Sequence, residues 1–321
     1  MILRQTRKRI GKARKKLNRF LAHIFWYNGN AAAKKTNIRI SPSQRFSLEP
    51  SDEPAETARP AIKVVSEKPV LHKPQKTQNL LFTLHGVSKS YGYGKKGRLV
   101  VLDGINLRIV EGAITSIVGE SGSGKSTLMH LIGTTDTVDS GEIYFRGTVP
   151  VHSLSPEEAN VFRKYEVAFI MQEMNMITDL SVLANVMDPL MMCGVSWGLA
   201  RKKALQSLDA VGIYNKRRSM VFNLSGGEKQ RVAIARAMAS DCSVILADEP
   251  TGSLDNVNSR EVMELLRQAN EKNGMSIVLI THEQRLAKMF SHYIVDLDFI
   301  KKRPFITNFH GVRADEFHIA V

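Results

Sequence analysis

The stretch "GESGSGKST", Gly119 to Thr127, decides the architecture of this chain. Gly119 is followed after four residues by Gly124, Lys125 and Ser126, with a strand-like "AITSIV" in front and an apolar-periodic "TLMHLI" behind. A strand, a glycine-rich turn and a helix in that order make a phosphate cradle. The backbone N–H groups of Gly119, Glu120, Ser121, Gly122, Ser123 and Gly124 can wrap the phosphates, with Thr127 closing the motif. Lys125 reaches the terminal phosphates, and the Ser126 hydroxyl is suited to Mg²⁺.

A second stretch, "NLSGGEKQRVAIARA" from Asn223 to Ala237, opens another helix. Ser225 as N-cap and Glu228 three residues on form a capping box. That explains neither Gly226 nor Gly227, each of which costs roughly 1 kcal/mol against alanine in a helix. Something must approach the backbone closely there, and a helix start stripped of side chains is an anion site.

The bulk numbers bound the rest. A chain of 321 residues with 43% hydrophobic content can bury a real core. Before Glu49 there are thirteen Lys or Arg and no acidic residue, so the remainder holds thirty-two basic against thirty-one acidic residues. Six of the eleven prolines fall between Pro42 and Pro74. Residues 1–78 therefore read as a basic arm and Pro-rich linker, mostly disordered, and the folded unit is expected to start near Asn79. Cys193 and Cys242 are the whole cysteine content, which supports neither a disulfide framework nor a zinc site and fits a reducing compartment. No apolar run approaches the length of a membrane span.

From Asn79 the pattern is of short strands and turns, "NLLFTLHGV", a glycine-rich turn over 92–97, "RLVVL" and "INLRIV", a small antiparallel sheet ahead of the phosphate loop. Tyr91 and Tyr93 sit on its first turn, where a ring can stack on an adenine. Further on, "VAFIM" ends at Gln172, "SVILA" at Asp248 and Glu249, and "SIVLIT" at His282. Continuous apolar runs of this kind fit buried parallel strands, and open α/β sheets bind ligands beyond the carboxyl ends of their strands. All four motifs thus point at one crevice. Successive strand side chains project oppositely, so Asp248 can serve a metal while Glu249 faces water. His282 can contact a γ-phosphate and Gln172 can sense Mg²⁺ or water. That set suits phosphoryl transfer to water.

In their order and spacing these motifs resemble the ATP-binding cassette family: "GESGSGKST" as Walker A, Gln172 as Q-loop, "LSGGE" as signature, "VILADE" as Walker B, "SLD" with Asp255 as D-loop, and His282 as switch histidine. The resemblance covers about 220 residues, Asn79 to roughly Lys301. Within the family, "STLMHLIGTTDTVDSGEI" and "DLSVLANVMDPL" look like the subgroup of lipoprotein-releasing, macrolide-exporter and cell-division ATPases. The resemblance implies an α/β P-loop NTPase cassette over 79–301, with a mainly parallel core sheet, an antiparallel β subdomain and a helical subdomain, followed by a tail over 302–321. It also implies two cassettes meeting head to tail, each ATP held between the Walker A loop of one and the signature helix of the other. Ser225, Gly226 and Gly227 would then serve the ATP of the partner chain.

The resemblance further implies ATP and Mg²⁺ as cofactors, ATP hydrolysis as the activity, a second copy and separate transmembrane permease subunits as partners, and a cytoplasmic, peripheral place on the inner face of the cell membrane. Met171 departs from the aromatic that many relatives carry before the glutamine. Six methionines (171, 174, 176, 187, 191 and 192) cluster in the region that resembles the subdomain facing the membrane partner. A soluble cassette ATPase of DNA repair or chromosome maintenance is the alternative. Only about a hundred residues separate Ser126 from Ser225, which leaves no room for a coiled-coil insertion, so nucleic acid is not expected as a partner. In the arm, Leu17, Phe20, Leu21, Ile24 and Phe25 follow the spacing of an amphipathic helix, which suits an anionic membrane surface, while the same acid-poor, Arg-rich composition also fits an organelle transit peptide, a nucleic-acid-binding tail or a disordered solvated arm.

Overall fold

A computed structural model describes residues 79–92, 97–172, 174–302 and 312–313. The arm, the linker, Tyr93 and most of the tail lie outside the described residues. In chain order the strands are β1 (Leu80–Tyr91), β2 (Leu99–Val110), β3 (Ile114–Val118), β4 (Ser140–Phe145), β5 (Val149–Pro150), β6 (Val167–Ile170), β7 (Val244–Asp248), β8 (Ser276–Ile280), β9 (Tyr293–Asp296) and β10 (Val312–Arg313). The helices are α1 (Lys125–Ile132), α2 (Pro156–Glu166), α3 (Val182–Met192), α4 (Trp197–Ala210), α5 (Gly226–Ala239), α6 (Asn256–Asn273), α7 (Gln284–Phe290) and α8 (Leu297–Lys301).

Two sheets organise the chain. One is antiparallel, in the order β2-β1-β4-β5; the other runs β10-β9-β3-β8-β7-β6 and is parallel except for β10. Every residue of β3 and β8 is buried, as is all of β7 except Asp248. Strands covered on both faces need no polar alternation, which is why "ITSIV", "VILA" and "SIVLI" read as nearly unbroken apolar runs. The runs "RLVVL" and "INLRIV" are not two strands: they form the single β2, with irregular register opposite β1 and Gly104 at φ +60° between them. The bulge absorbs the Asp103-Gly104 pair that separates the two runs.

The antiparallel sheet packs its apolar face through Phe82, Phe145 and Phe162, with ring centroids 5.3 and 5.1 Å apart, so α2 is seated on β1 and β4. Arg146 links this layer to the parallel sheet, donating to Glu111 at 2.7 Å and to the buried Glu166 at 3.3 Å. Glu166 also accepts from the Ser243 hydroxyl at 2.6 Å, just ahead of β7. Helices α3, α4 and α5 pack together around Val186, Leu190, Ala204, Leu208 and Val232 and make the helical part of the fold.

Of the six clustered methionines, Met187 is core, Met176 and Met191 pack against it, and Met192 is 82% exposed. Val312 pairs with Ile294 and Arg313 with Tyr293, so the sheet continues past the boundary drawn at Lys301. Among the described residues no helix is long and apolar enough to cross a membrane.

Candidate functional site

The strand order puts β3, β8 and β7 side by side, and the loops leaving their carboxyl ends converge. A cleft of about 480 Å³ lies there. Ser121, Gly122, Gly124, Lys125, Ser126 and Thr127 line it from the loop after β3, with Glu249 after β7, His282 after β8, and Tyr91 and Val101 from the antiparallel sheet. Six of the expected loop residues, the tyrosine, the glutamate and the histidine thus meet in one place.

The loop itself is tightly wound. Gly124 caps α1 in the left-handed region at φ +102°, and Lys125, only 7% exposed, turns back to donate to Gly119 O at 2.9 Å and Glu120 O at 2.7 Å. Ser123 is also buried, with its hydroxyl oxygen 3.5 Å from the Lys125 ammonium. The ammonium therefore sits inside the curve of the loop, at the border of the cleft.

Asp248 stands next to the Ser126 hydroxyl, which favours its ionised form. Burial raises its carboxyl above the usual carboxylate value and the adjacent Glu249 charge adds to this, while the Ser126 hydroxyl and the charges of His130 and Lys125 act the other way. A hydroxyl and a carboxylate side by side supply the hard oxygen donors that Mg²⁺ takes, and one or two such protein donors are what it needs beside phosphate and water. The residues therefore fit the cation.

Glu249 stands immediately beyond β7, at φ +44°. A left-handed backbone at a residue with a side chain is uncommon and is stored strain. It is held by a hydrogen bond from Glu249 N to Ile280 O at 3.0 Å and by Gly252 N donating to Glu249 O at 3.1 Å. The twist aims the carboxylate across to the neighbouring strand end, where Glu249 Oε1 lies 3.5 Å from His282 Nδ1. A further bond, Thr251 Oγ1 to Glu283 Oε1 at 2.9 Å, ties the two loops together.

Not every expected residue joins them. Gln172 lies two residues beyond β6, is exposed, and does not line the cleft. The backbone just after it is left-handed at Met174 and Asn175, and their carbonyls accept from Arg236 of α5 at 2.8 and 3.0 Å. Ser225, Gly226, Gly227 and Asp255 are also outside the cleft of their own chain. Ser225 caps α5 through the expected box, its Oγ accepting from Glu228 N at 3.3 Å while Glu228 accepts from Ser225 N at 2.9 Å.

Within the chain, the two glycines have different surroundings. A Cβ on Gly226 would meet only Leu254, at an ordinary 3.8 Å, whereas one on Gly227 would press to 3.2 Å from Asn258. Internal packing thus leaves Gly226, exposed at the helix start, without a reason to be glycine. Asp255 caps α6, accepting from Val257 N and Asn258 N at 3.0 and 2.8 Å.

The sequence reading missed Asp136 and Asp298. The Asp136 carboxylate accepts from the Tyr91 hydroxyl at 2.6 Å and from Lys89 at 2.7 Å, and Asp298 accepts from the Glu120 N–H at 2.7 Å. Neither belongs to a short motif. A lone aspartate in a loop carries no periodic signal.

Known proteins are similar to this chain in sequence and fold. Residues 102–252 match the family model described as ABC transporter. The lipoprotein-releasing system ATP-binding protein LolD of Bacteroides fragilis is 40% identical over 215 residues, covering 67% of this chain and 97% of that protein. An ABC transporter ATP-binding protein of Methanocaldococcus jannaschii is 41% identical over 208 residues, 65% of this chain and 92% of its own length. Among solved structures, the dimeric post-hydrolysis state of the cassette MJ0796, bound to ADP and phosphate, superposes with a TM-score of 0.62 at 36% identity, covering 67% of this chain and 93% of that one.

Proposed function

This chain belongs to the ABC transporter family of ATPases, and from that membership we propose that it is the ATP-hydrolysing subunit of a membrane complex whose spanning subunits are separate chains. The observation that carries this reading is the 40% identity over nearly the full length of a lipoprotein-releasing ATP-binding protein. The work it drives is of that class, transport or extraction at a membrane, with the chain peripheral on the cytoplasmic face. Its basic arm, over residues 1–48, touches the anionic lipid surface beside the partner.

In the proposed reaction the loop N–H groups and Lys125 hold the phosphates, while Tyr91 stacks on the adenine. Ser126 and Asp248, with Gln172 from the loop after β6, would hold Mg²⁺, which when bound would neutralise phosphate charge. Glu249 orients a water whose oxygen bonds to the γ-phosphorus as the bond to the β-phosphate oxygen breaks. His282, beside Glu249, contacts the γ-phosphate. Asp255 and the Ser225–Gly227 helix start act across a homodimer, where Gly226 has room to meet the other chain's nucleotide. The exposed Gly226, which its own chain's packing does not require, supports that assignment.

The test is Glu249→Gln. It keeps the shape and removes the charge that aligns water, so ATP binding persists while turnover falls by about a hundredfold or more. With ATP and Mg²⁺, two such chains elute together in size-exclusion chromatography. Parental turnover, or a chain that stays monomeric, overturns the reading.

A further inference from the structure

Residues Val118 and Asp296 are paired across β3 and β9, so the helix that follows β9 stands beside the phosphate loop that follows β3. Two residues of α8, three apart and therefore on one face, reach that loop. Asp298 Oδ2 accepts from Glu120 N at 2.7 Å, and Lys301 Nζ donates to Ser123 O at 3.2 Å. The approach is close: a Cβ on Gly119, whose φ is +153°, would lie 2.9 Å from the Asp298 carboxylate and 2.9 Å from Ser123 Oγ. Only a glycine leaves room for the carboxylate at that point.

The peptide unit between Gly119 and Glu120 is thereby held at both ends. Its N–H points to Asp298, and its carbonyl oxygen accepts from Lys125 Nζ at 2.9 Å. A peptide whose N–H is bonded to a carboxylate is polarised, which makes its carbonyl a stronger acceptor. The chain of bonds runs from the Asp298 carboxylate through one peptide to the Lys125 ammonium. Asp298 has no line to the ligand of its own.

We propose that Asp298 is a positioning residue for Lys125, acting through the Gly119–Glu120 peptide, and that Lys301 fixes the crown of the same loop at Ser123. This rests on the reading of Lys125 as the phosphate-binding cation. The two aim the ammonium before nucleotide arrives. Their removal leaves the loop free to rotate that peptide, so nucleotide affinity suffers while the chemistry after binding is largely kept.

The experiment uses the full chain, with binding of a fluorescent N-methylanthraniloyl ATP, steady-state ATPase kinetics and thermal midpoints. Asp298→Ala is expected to weaken binding about tenfold, the usual effect of losing one charge-assisted hydrogen bond, and to raise KM by a similar factor while kcat stays within about threefold of the parental value. Asp298→Asn keeps an oxygen that accepts the Glu120 N–H and restores most of the affinity. Lys301→Met, with Asp298 intact, weakens binding more modestly and serves where the alanine variant folds poorly. In a Lys125→Met background Asp298→Ala has no further effect on binding, because the two act in series.

Unchanged affinity in both Asp298→Ala and Lys301→Met, with only the thermal midpoint lowered, overturns the proposal. So does full additivity of Asp298→Ala with Lys125→Met. Parental affinity in Lys125→Met alone would instead overturn the phosphate reading of the loop, and the proposal with it.

Discussion

The Tyr91 phenol and the Asp136 carboxylate are 2.6 Å apart, and the same carboxylate accepts from Lys89 at 2.7 Å, with the Lys89 ammonium 5.1 Å from the centre of the Tyr91 ring. Asp139, three residues on, accepts from Ser90 N at 2.8 Å and Ser90 Oγ at 2.6 Å. The loop after α1 thus grips the end of β1 and sets the plane of the tyrosine ring. Burial opposes ionisation of Asp136, but its bonds from Lys89 and Tyr91 outweigh that and hold it below its ordinary value, so it is charged at neutral pH. Asp136→Ala is therefore expected to weaken ATP binding about five- to tenfold by freeing the ring, which is worth about 1 kcal/mol of stacking. Inorganic tripolyphosphate, which has no base, is the control: isothermal titration should find its affinity unchanged, and an equal loss for both ligands would refute a role through Tyr91.

Asp248 offers a pH test. Its carboxyl is raised, chiefly by burial, so the ionised form is less comfortable folded than unfolded. A raised carboxyl favours the folded state at pH below the unfolded value and withdraws that support as pH climbs through the folded value. At neutral pH the charge is a net burden, and Asp248→Asn should raise the thermal midpoint by about 2 °C while abolishing turnover. The gain over the parental chain should shrink as pH falls through the carboxylate range, where the aspartate itself is neutral. A gain that grows on acidification contradicts the sign.

Lys125→Ala and Ser225→Arg damage opposite halves of the proposed shared site. Each variant alone should hydrolyse ATP at a few per cent of the parental rate or less. Mixed in equal amounts, they form heterodimers with one intact composite site and one doubly damaged site. Recovery of roughly a quarter of parental activity is expected from random pairing and independent sites. No recovery, with heterodimers demonstrated by differential tags, rules out sharing.

The basic arm is tested by flotation of the full chain, and of the chain lacking residues 1–48, with liposomes that contain or lack anionic lipid. Each basic residue near such a surface contributes about 1 kcal/mol, so the intact chain should float only with the anionic vesicles and be released by salt. Phe20→Asp with Ile24→Asp should abolish it. Equal failure of the intact chain with both vesicle types ends the membrane role.

Most of the cleft was legible in the sequence because its residues sit at fixed points of a repeating physical pattern. A glycine-spaced turn between a strand and a helix is short-range, so "GESGSGKST" announces itself; Asp248, Glu249 and His282 are legible because each follows an apolar run that only a buried parallel strand explains. The capping box of Ser225 is likewise local. What sequence could not give is whatever depends on strand order. Asp298 meets Glu120 across 178 residues because β9 lies beside β3, and Asp136 meets Tyr91 because β1 ends near the turn after α1. "RLVVL" and "INLRIV" read as separate strands for the opposite reason, since a bulge and a turn favour the same residues, here Asp103-Gly104, and differ only in whether the partner strand continues.

Arg236 closes the loop after Gln172 in a way that bears on motion. Both acceptors, Met174 O and Asn175 O, belong to left-handed residues without glycine, a turn that holds of order 1–3 kcal/mol of strain per residue. One planar guanidinium carries both bonds, so a pull that rotates it off one carbonyl removes it from the other. The two bonds therefore stand or fall together. Because Arg236 lies near the far end of the helix that Ser225 begins, these two bonds tie the turn after Gln172 to a rod about 20 Å long whose other end is the exposed serine.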